Sequence, residues 1–88
     1  MSITTVIKFK VADREKFEAS FATRTAAREA AGLQFKAHRD MDDPNGVVVL
    51  GTVESKDAFF GFMSSTEQQE AMKNATIQGS PEVTFLEG

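Results

Sequence analysis

The chain has 88 residues, a formal net charge of −3 and no cysteine. That length predicts one small domain, 1–88, with a core thin enough for oligomerisation to be a common remedy. The charge leaves no footprint for nucleic acid, and the missing cysteines exclude disulfides, thiolate metal sites and cysteine nucleophiles.

Ile3 to Val11 alternates, with Ile3, Thr5, Ile7, Phe9 and Val11 on one side and Thr4, Val6, Lys8 and Lys10 on the other, which predicts a strand. Asp13 is a good N-cap, and Glu15 suits the first turn of a helix. Arg14 to Ala31 contains no Gly or Pro and is rich in helix formers, so it predicts one long helix that stops at Gly32. Leu33 to Asp40 alternates again, with a polar side that suits a sheet edge. Pro44-Asn45-Gly46 predicts a tight turn closed by positive φ. The apolar, mostly β-branched run Val47 to Leu50 opens a strand buried on both faces that reaches Val53. Ser55 caps a short helix, Lys56 to Met63, with Phe59, Phe62 and Met63 on one stripe and Phe60 pointing away. Thr66 with Gln69 forms a capping box for a helix from about Glu67 to Ala75, turning Ala71, Met72 and Ala75 inward. Ile77 to Ser80 is expected to be a loop, and Pro81 starts the last strand, Val83 to Leu86.

The order β-α-β-β-α-α-β predicts an α+β, ferredoxin-like fold: a four-stranded antiparallel sheet with the first and third strands in the middle. Helices can cover one face of such a sheet. Apolar groups on the other face call for a second copy of the chain. The run Asp42-Asp43-Pro44-Asn45, Val47–Leu50, Val53-Glu54-Ser55 and Asp57-Ala58-Phe59 resembles the antibiotic-biosynthesis-monooxygenase-like proteins of the dimeric α+β barrel superfamily. The closing Pro81-Glu82-Val83-Thr84-Phe85-Leu86 is similar to that family's last strand. The resemblance implies two sheets joined into a barrel, with helices outside and a ligand pocket between sheet and helices in each subunit. The chain departs from the family at Val53, where Trp is frequent, and near Gly61-Phe62, where His is frequent.

His38 is the lone histidine and the catalytic candidate, with Asp40 two residues on to orient it and Lys36 beside it. The plainer alternative puts it on the polar face of an edge strand. Arg24 and Arg28 are the ligand-binding candidates. On a regular helix, Phe17 and Phe21 define the buried stripe, Arg28 falls between them and Arg24 lies beside Phe17. Guanidiniums there need carboxylate partners or an anionic ligand. Glu54 or Glu87 could serve Arg24 structurally, and Arg28 could snorkel outward. Phe9, Phe17, Phe21, Phe35, Phe59, Phe62 and Phe85 are expected to face inward; most serve as core, and Phe21 and Phe62 also wall a ligand slot. Asp40, Asp42 and Asp43 have turn composition rather than metal-ligand spacing, so no metal site is expected.

The leading expectation is a small-molecule-binding homodimer whose ligand is hydrophobic or anionic. The alternatives are a cofactor-independent monooxygenase, isomerase or cyclase acting on a small hydrophobic anion, and a structural or accessory dimer with a filled core. With no Tyr, Trp or Cys and one histidine on the wrong strand face, neither haem nor flavin is expected as a cofactor. No run approaches the ~20 apolar residues of a membrane span, and the N-terminus lacks signal-peptide character, so a cytoplasmic location is expected.

Overall fold

Across the sheet the strands lie in the order second, third, first, fourth by chain position, so the two most apolar strands are central. The structure, a computed structural model, describes residues 3–87. Its elements are β1 (Ile3–Val11), α1 (Arg14–Thr23), α2 (Thr25–Ala30), β2 (Leu33–Arg39), β3 (Gly46–Val53), α3 (Lys56–Met63), α4 (Thr66–Asn74) and β4 (Ile77–Leu86). All three strand pairings are antiparallel. The architecture is the expected ferredoxin-like α+β arrangement, with the first helix divided in two.

Register sorts the side chains. Thr5 lies opposite Gly51, Ile7 opposite Val49 and Phe9 opposite Val47. This face carries the core: Ile7, Val11, Leu33, Val47, Val49 and Val53 pack with Phe17 of α1, Phe59 of α3 and Ala75. Phe60 points away and is 54% exposed, as its angular position predicts. The opposite face presents Val6, Lys8, Val48, Leu50, Lys36, His38 and Leu86, none of them buried. Among the described residues no helix is long and apolar enough to cross a membrane. Among the described residues one buried side-chain polar atom lacks a partner, the hydroxyl of Thr5.

The long helix expected over Arg14–Ala31 breaks at Arg24, which has φ −103° and ψ 6°. Hydroxyls cause it. Thr23 Oγ1 donates to the Ser20 carbonyl at 2.6 Å, and Thr25 Oγ1 donates to the Ala22 carbonyl at 3.1 Å. Such back-bonding competes with the backbone ladder and bends helices. Gly32 takes φ +80° and ends α2 as expected.

The turn between β2 and β3 closes by another route than positive φ at Asn45-Gly46. Asp40 Oδ1 accepts from the Asp42 amide at 2.8 Å, and Asp43 Oδ1 accepts from the Asn45 amide at 2.9 Å. Asn45 Nδ2 then ties the turn to the Val11 carbonyl at 2.8 Å. The cap of α4 is Ser65, whose Oγ accepts from the Gln68 amide at 3.3 Å, one residue ahead of the expected Thr66–Gln69 box. Gln69 instead donates to the Met63 carbonyl at 2.6 Å. Ile77 to Ser80, expected as a loop, belongs to β4: Ile77 pairs with Val11 and Gln78 with Lys10 across a bulge. The bulge absorbs the turn-forming residues, with Gly79 at φ +70°.

Candidate functional site

A slot opens between the helices and the sheet. Ile7 and Phe9 of β1, Val49 of β3 and Phe35 of β2 form its floor, and Phe17, Ser20 and Phe21 of α1 form one wall. The other wall is Phe62 and Met63 of α3 with Gln68, Ala71 and Met72 of α4. Arg24 and Arg28, with Ala75, Ile77 and Pro81, complete the lining, which contains no acid, no histidine and no hydroxyl other than Ser20. The half-open slot has a volume of about 60 Å³, enough for roughly four waters or the head of a small ligand.

Arg28 is 5% exposed, the one buried charged residue among those described. Its guanidinium carbon lies 3.6 Å from the centroid of the Phe21 ring, a cation–π stack. Its Nη2 donates to Thr25 Oγ1 at 3.2 Å. Burial, and after it the charge of Arg24, hold the Arg28 guanidinium below its ordinary proton affinity, with exposed Glu29 acting weakly the other way. Arg28 also borders a second groove of about 300 Å³ at the β2 edge, with Glu29, Gln34 and Lys36.

Arg24 sits at the helix break, and the break aims it. Its Nε donates to Gln68 Oε1 at 3.1 Å, and its guanidinium carbon lies 5.4 Å from the Phe62 ring centroid. Gln68, not Glu54 or Glu87, is the partner. Among the described residues the ion pairs are Lys10–Asp43 and Arg39–Glu18, so neither pocket arginine has a carboxylate within 4.0 Å. Two guanidiniums are thus held by neutral oxygens in an apolar slot.

The structure thus brings Arg24, Arg28, Phe21 and Phe62 around one cavity. His38 lies elsewhere. It pairs with Val48 at the β2–β3 ladder, exposed on the sheet face remote from the helices. Among the described residues no hydrogen bond joins Asp40 to His38; the Asp40 Oδ1 accepts from the Asp42 amide instead. Gln68 escapes sequence reasoning, since a lone polar residue in a helix carries no sign of a partner 44 positions away. Among the described residues no group of three or more His, Cys, Asp or Glu could hold a metal ion.

A family model described as antibiotic biosynthesis monooxygenase matches residues 1–74. No curated protein matches the chain. Among solved structures, it is similar to an antibiotic biosynthesis monooxygenase family protein from Bordetella bronchiseptica, with a TM-score of 0.83, 21% identity and coverage of 99% of this chain and 96% of that one. A counterpart from Caulobacter crescentus CB15 gives 0.80, 23% identity, and 99% and 89% coverage. SnoaB, a cofactor-independent oxygenase from Streptomyces nogalater, gives 0.74, 24% identity, and 99% and 92% coverage. At these identities the likenesses establish the fold.

Proposed function

The chain belongs to the antibiotic biosynthesis monooxygenase family, and from that premise we propose that it binds a small, largely apolar anion in the helix–sheet slot. The observation that carries this is Arg28: a buried cation, with no carboxylate in reach, lining a cavity whose walls are Phe, Met and Ala. An uncompensated buried charge is costly for the empty protein. A carboxylate, phenolate or enolate entering the slot would offset that cost, and the Phe and Met walls would hold its apolar body. Thermal melts with a panel of small aromatic acids test it. Melting is expected to rise with the acids; Arg28→Ala should abolish the rise and Arg24→Ala should weaken it, both while keeping the fold. A wild-type chain that no acid stabilises would overturn the reading.

A catalytic role is the second reading, favoured by the same pair of cations. Their field would hold a substrate in its enolate or phenolate form, the form that reacts with oxygen in cofactor-independent oxygenation of the kind named for SnoaB. The slot itself offers no base near neutrality. The substrate would therefore have to ionise through its own acidity and the guanidinium field. Oxygen uptake with enolisable aromatic compounds, measured beside Arg28→Ala, separates this from simple binding.

We further propose that the chain works as a homodimer, joined through the sheet face that the helices leave uncovered. Val6, Val48, Leu50 and Leu86 supply that face with apolar surface, and a second copy would bury it.

A further inference from the structure

We infer that Gln68 sets the charge of the slot, and that by doing so it selects ligands carrying two negative charges over ligands carrying one. This rests on the reading of the slot as an anion site. Gln68 is the third residue of α4 after the Ser65 cap. A glutamine there commonly turns back to the amide of the cap residue. Here its side-chain oxygen accepts instead from Arg24 Nε, across the slot.

An amide oxygen orients a guanidinium without neutralising it. A carboxylate of the same shape at this place would form a charge-assisted pair and remove one positive charge from the cavity. The same device occurs at Arg28, which a hydroxyl, Thr25 Oγ1, holds in place. Glu67 and Glu70 border Arg24 only along an outer groove between α1 and α4, and neither comes within ion-pair distance. Both guanidiniums also rest on phenylalanine rings, which fix them further without cancelling charge. The slot is therefore built to keep two oriented cations side by side and uncompensated. They oppose each other: the charge of Arg24, after burial, lowers the proton affinity of Arg28. A monoanion relieves one of them, and a dianion relieves both.

Calorimetric titration of the full chain with benzoate, 1,2-benzenedicarboxylate and 1,3-benzenedicarboxylate at neutral pH and low salt tests this. The wild type should bind a dicarboxylate at least about tenfold tighter than benzoate, the effect of one further charge-assisted contact. Gln68→Glu should erase that preference while benzoate still binds through Arg28. Gln68→Met keeps both charges but frees Arg24, so affinity should fall while the preference for the dianion persists. A residue serving only the packing of α4 would weaken all three acids alike in both variants and leave their ratio unchanged, which overturns the inference. A wild type that binds benzoate as tightly as the dicarboxylates also overturns it, even if Gln68→Glu fails to fold, and leaves the anion site standing. A wild type that binds none of the acids overturns both.

Discussion

The guanidinium carbon of Arg28 sits 3.6 Å from the centroid of the Phe21 ring, seven positions earlier and on the far side of a helix break. The stack makes a cation part of an apolar wall. It also explains how a charge survives where exposure is only 5%: the ring face and one hydroxyl replace part of its hydration.

Arg28→Met follows directly. Losing the stack costs about 1–2 kcal/mol, whereas removing a buried, uncompensated charge relieves a larger desolvation penalty. The ligand-free variant is expected to melt at or above the wild-type temperature, and it should lose its response to aromatic acids. A fall in stability of more than about 1 kcal/mol on chemical denaturation would reveal an internal partner for the charge.

Thr5 offers a cleaner measure of core energetics. It is fully buried, and its hydroxyl has no partner. Thr5→Val replaces that group with a methyl of similar size. Removing an unsatisfied buried donor should raise stability by about 1 kcal/mol in urea denaturation. A loss instead would mean that the hydroxyl is satisfied in solution.

Acid should weaken the rim of the fold first. A hydrogen bond from Arg39 holds the Glu18 carboxyl below its ordinary value of 4.5, and the Asn45 amide, followed by Lys10, holds Asp43 below 3.8. Depressed carboxyls contribute stability that is fully present above their ordinary values and lost as pH falls through the lower folded ones. Melting temperature is therefore expected to hold down to the mid-acid range and to fall below it. Glu18→Gln and Asp43→Asn should flatten that acid limb in a series of melts against pH. Glu18 is exposed and Asp43 only partly buried, so the change will be modest.

The strands were legible because alternation and β-branched runs report burial directly, as at Ile7 and Val49. The arginine pair was legible because two charges interrupt a phenylalanine stripe. The helix break was not. It depends on Thr23 and Thr25 hydroxyls whose bonds to carbonyls rival helix propensity in size. Ser65 and Thr66 are neighbouring hydroxyl residues, and only the docking of α4 decides which one caps it. Gln78-Gly79-Ser80 has loop composition, yet β1 supplies partners for Gln78 and the preceding Ile77. Gln68 had no signal at all, since its role exists only once Arg24 is aimed at it.

Association through the open sheet face is expected to give a particle of twice 9.6 kDa in light scattering at micromolar concentration. Leu50 lies on the central strand β3, 41% exposed, opposite Val6 and Lys36 in register. Leu50→Lys would set a charge in the middle of an interface of about 800 Å² per subunit. That variant should run as a monomer while keeping its circular dichroism. A wild-type monomer would show that this face needs no partner.

Gly51 links the sheet to the slot. It lies opposite Phe35 on β2 and Thr5 on β1. A Cβ at this position would come within 1.9 Å of the Gln34 carbonyl oxygen and 2.5 Å of Phe35 Cδ1. The glycine therefore sets how closely β2 approaches β3, and with it where the Phe35 ring lies on the floor of the cavity. An alanine cannot fit by a side-chain rotation alone, because the oxygen it meets belongs to the backbone. Either β2 separates from β3 or the hairpin shifts, and overpacking of this kind costs about 3 kcal/mol. In a domain of this size that corresponds to a fall in melting temperature of more than about 12 °C. Gly51→Ala should show that fall and lose acid binding with it, since the floor moves when the strand does. Gly61 is the control, because a Cβ there meets nothing within 4 Å, and Gly61→Ala, in mid-helix, should stabilise by up to about 1 kcal/mol. If Gly51→Ala melts with Gly61→Ala instead of far below it, the close approach of the two strands is not what positions Phe35.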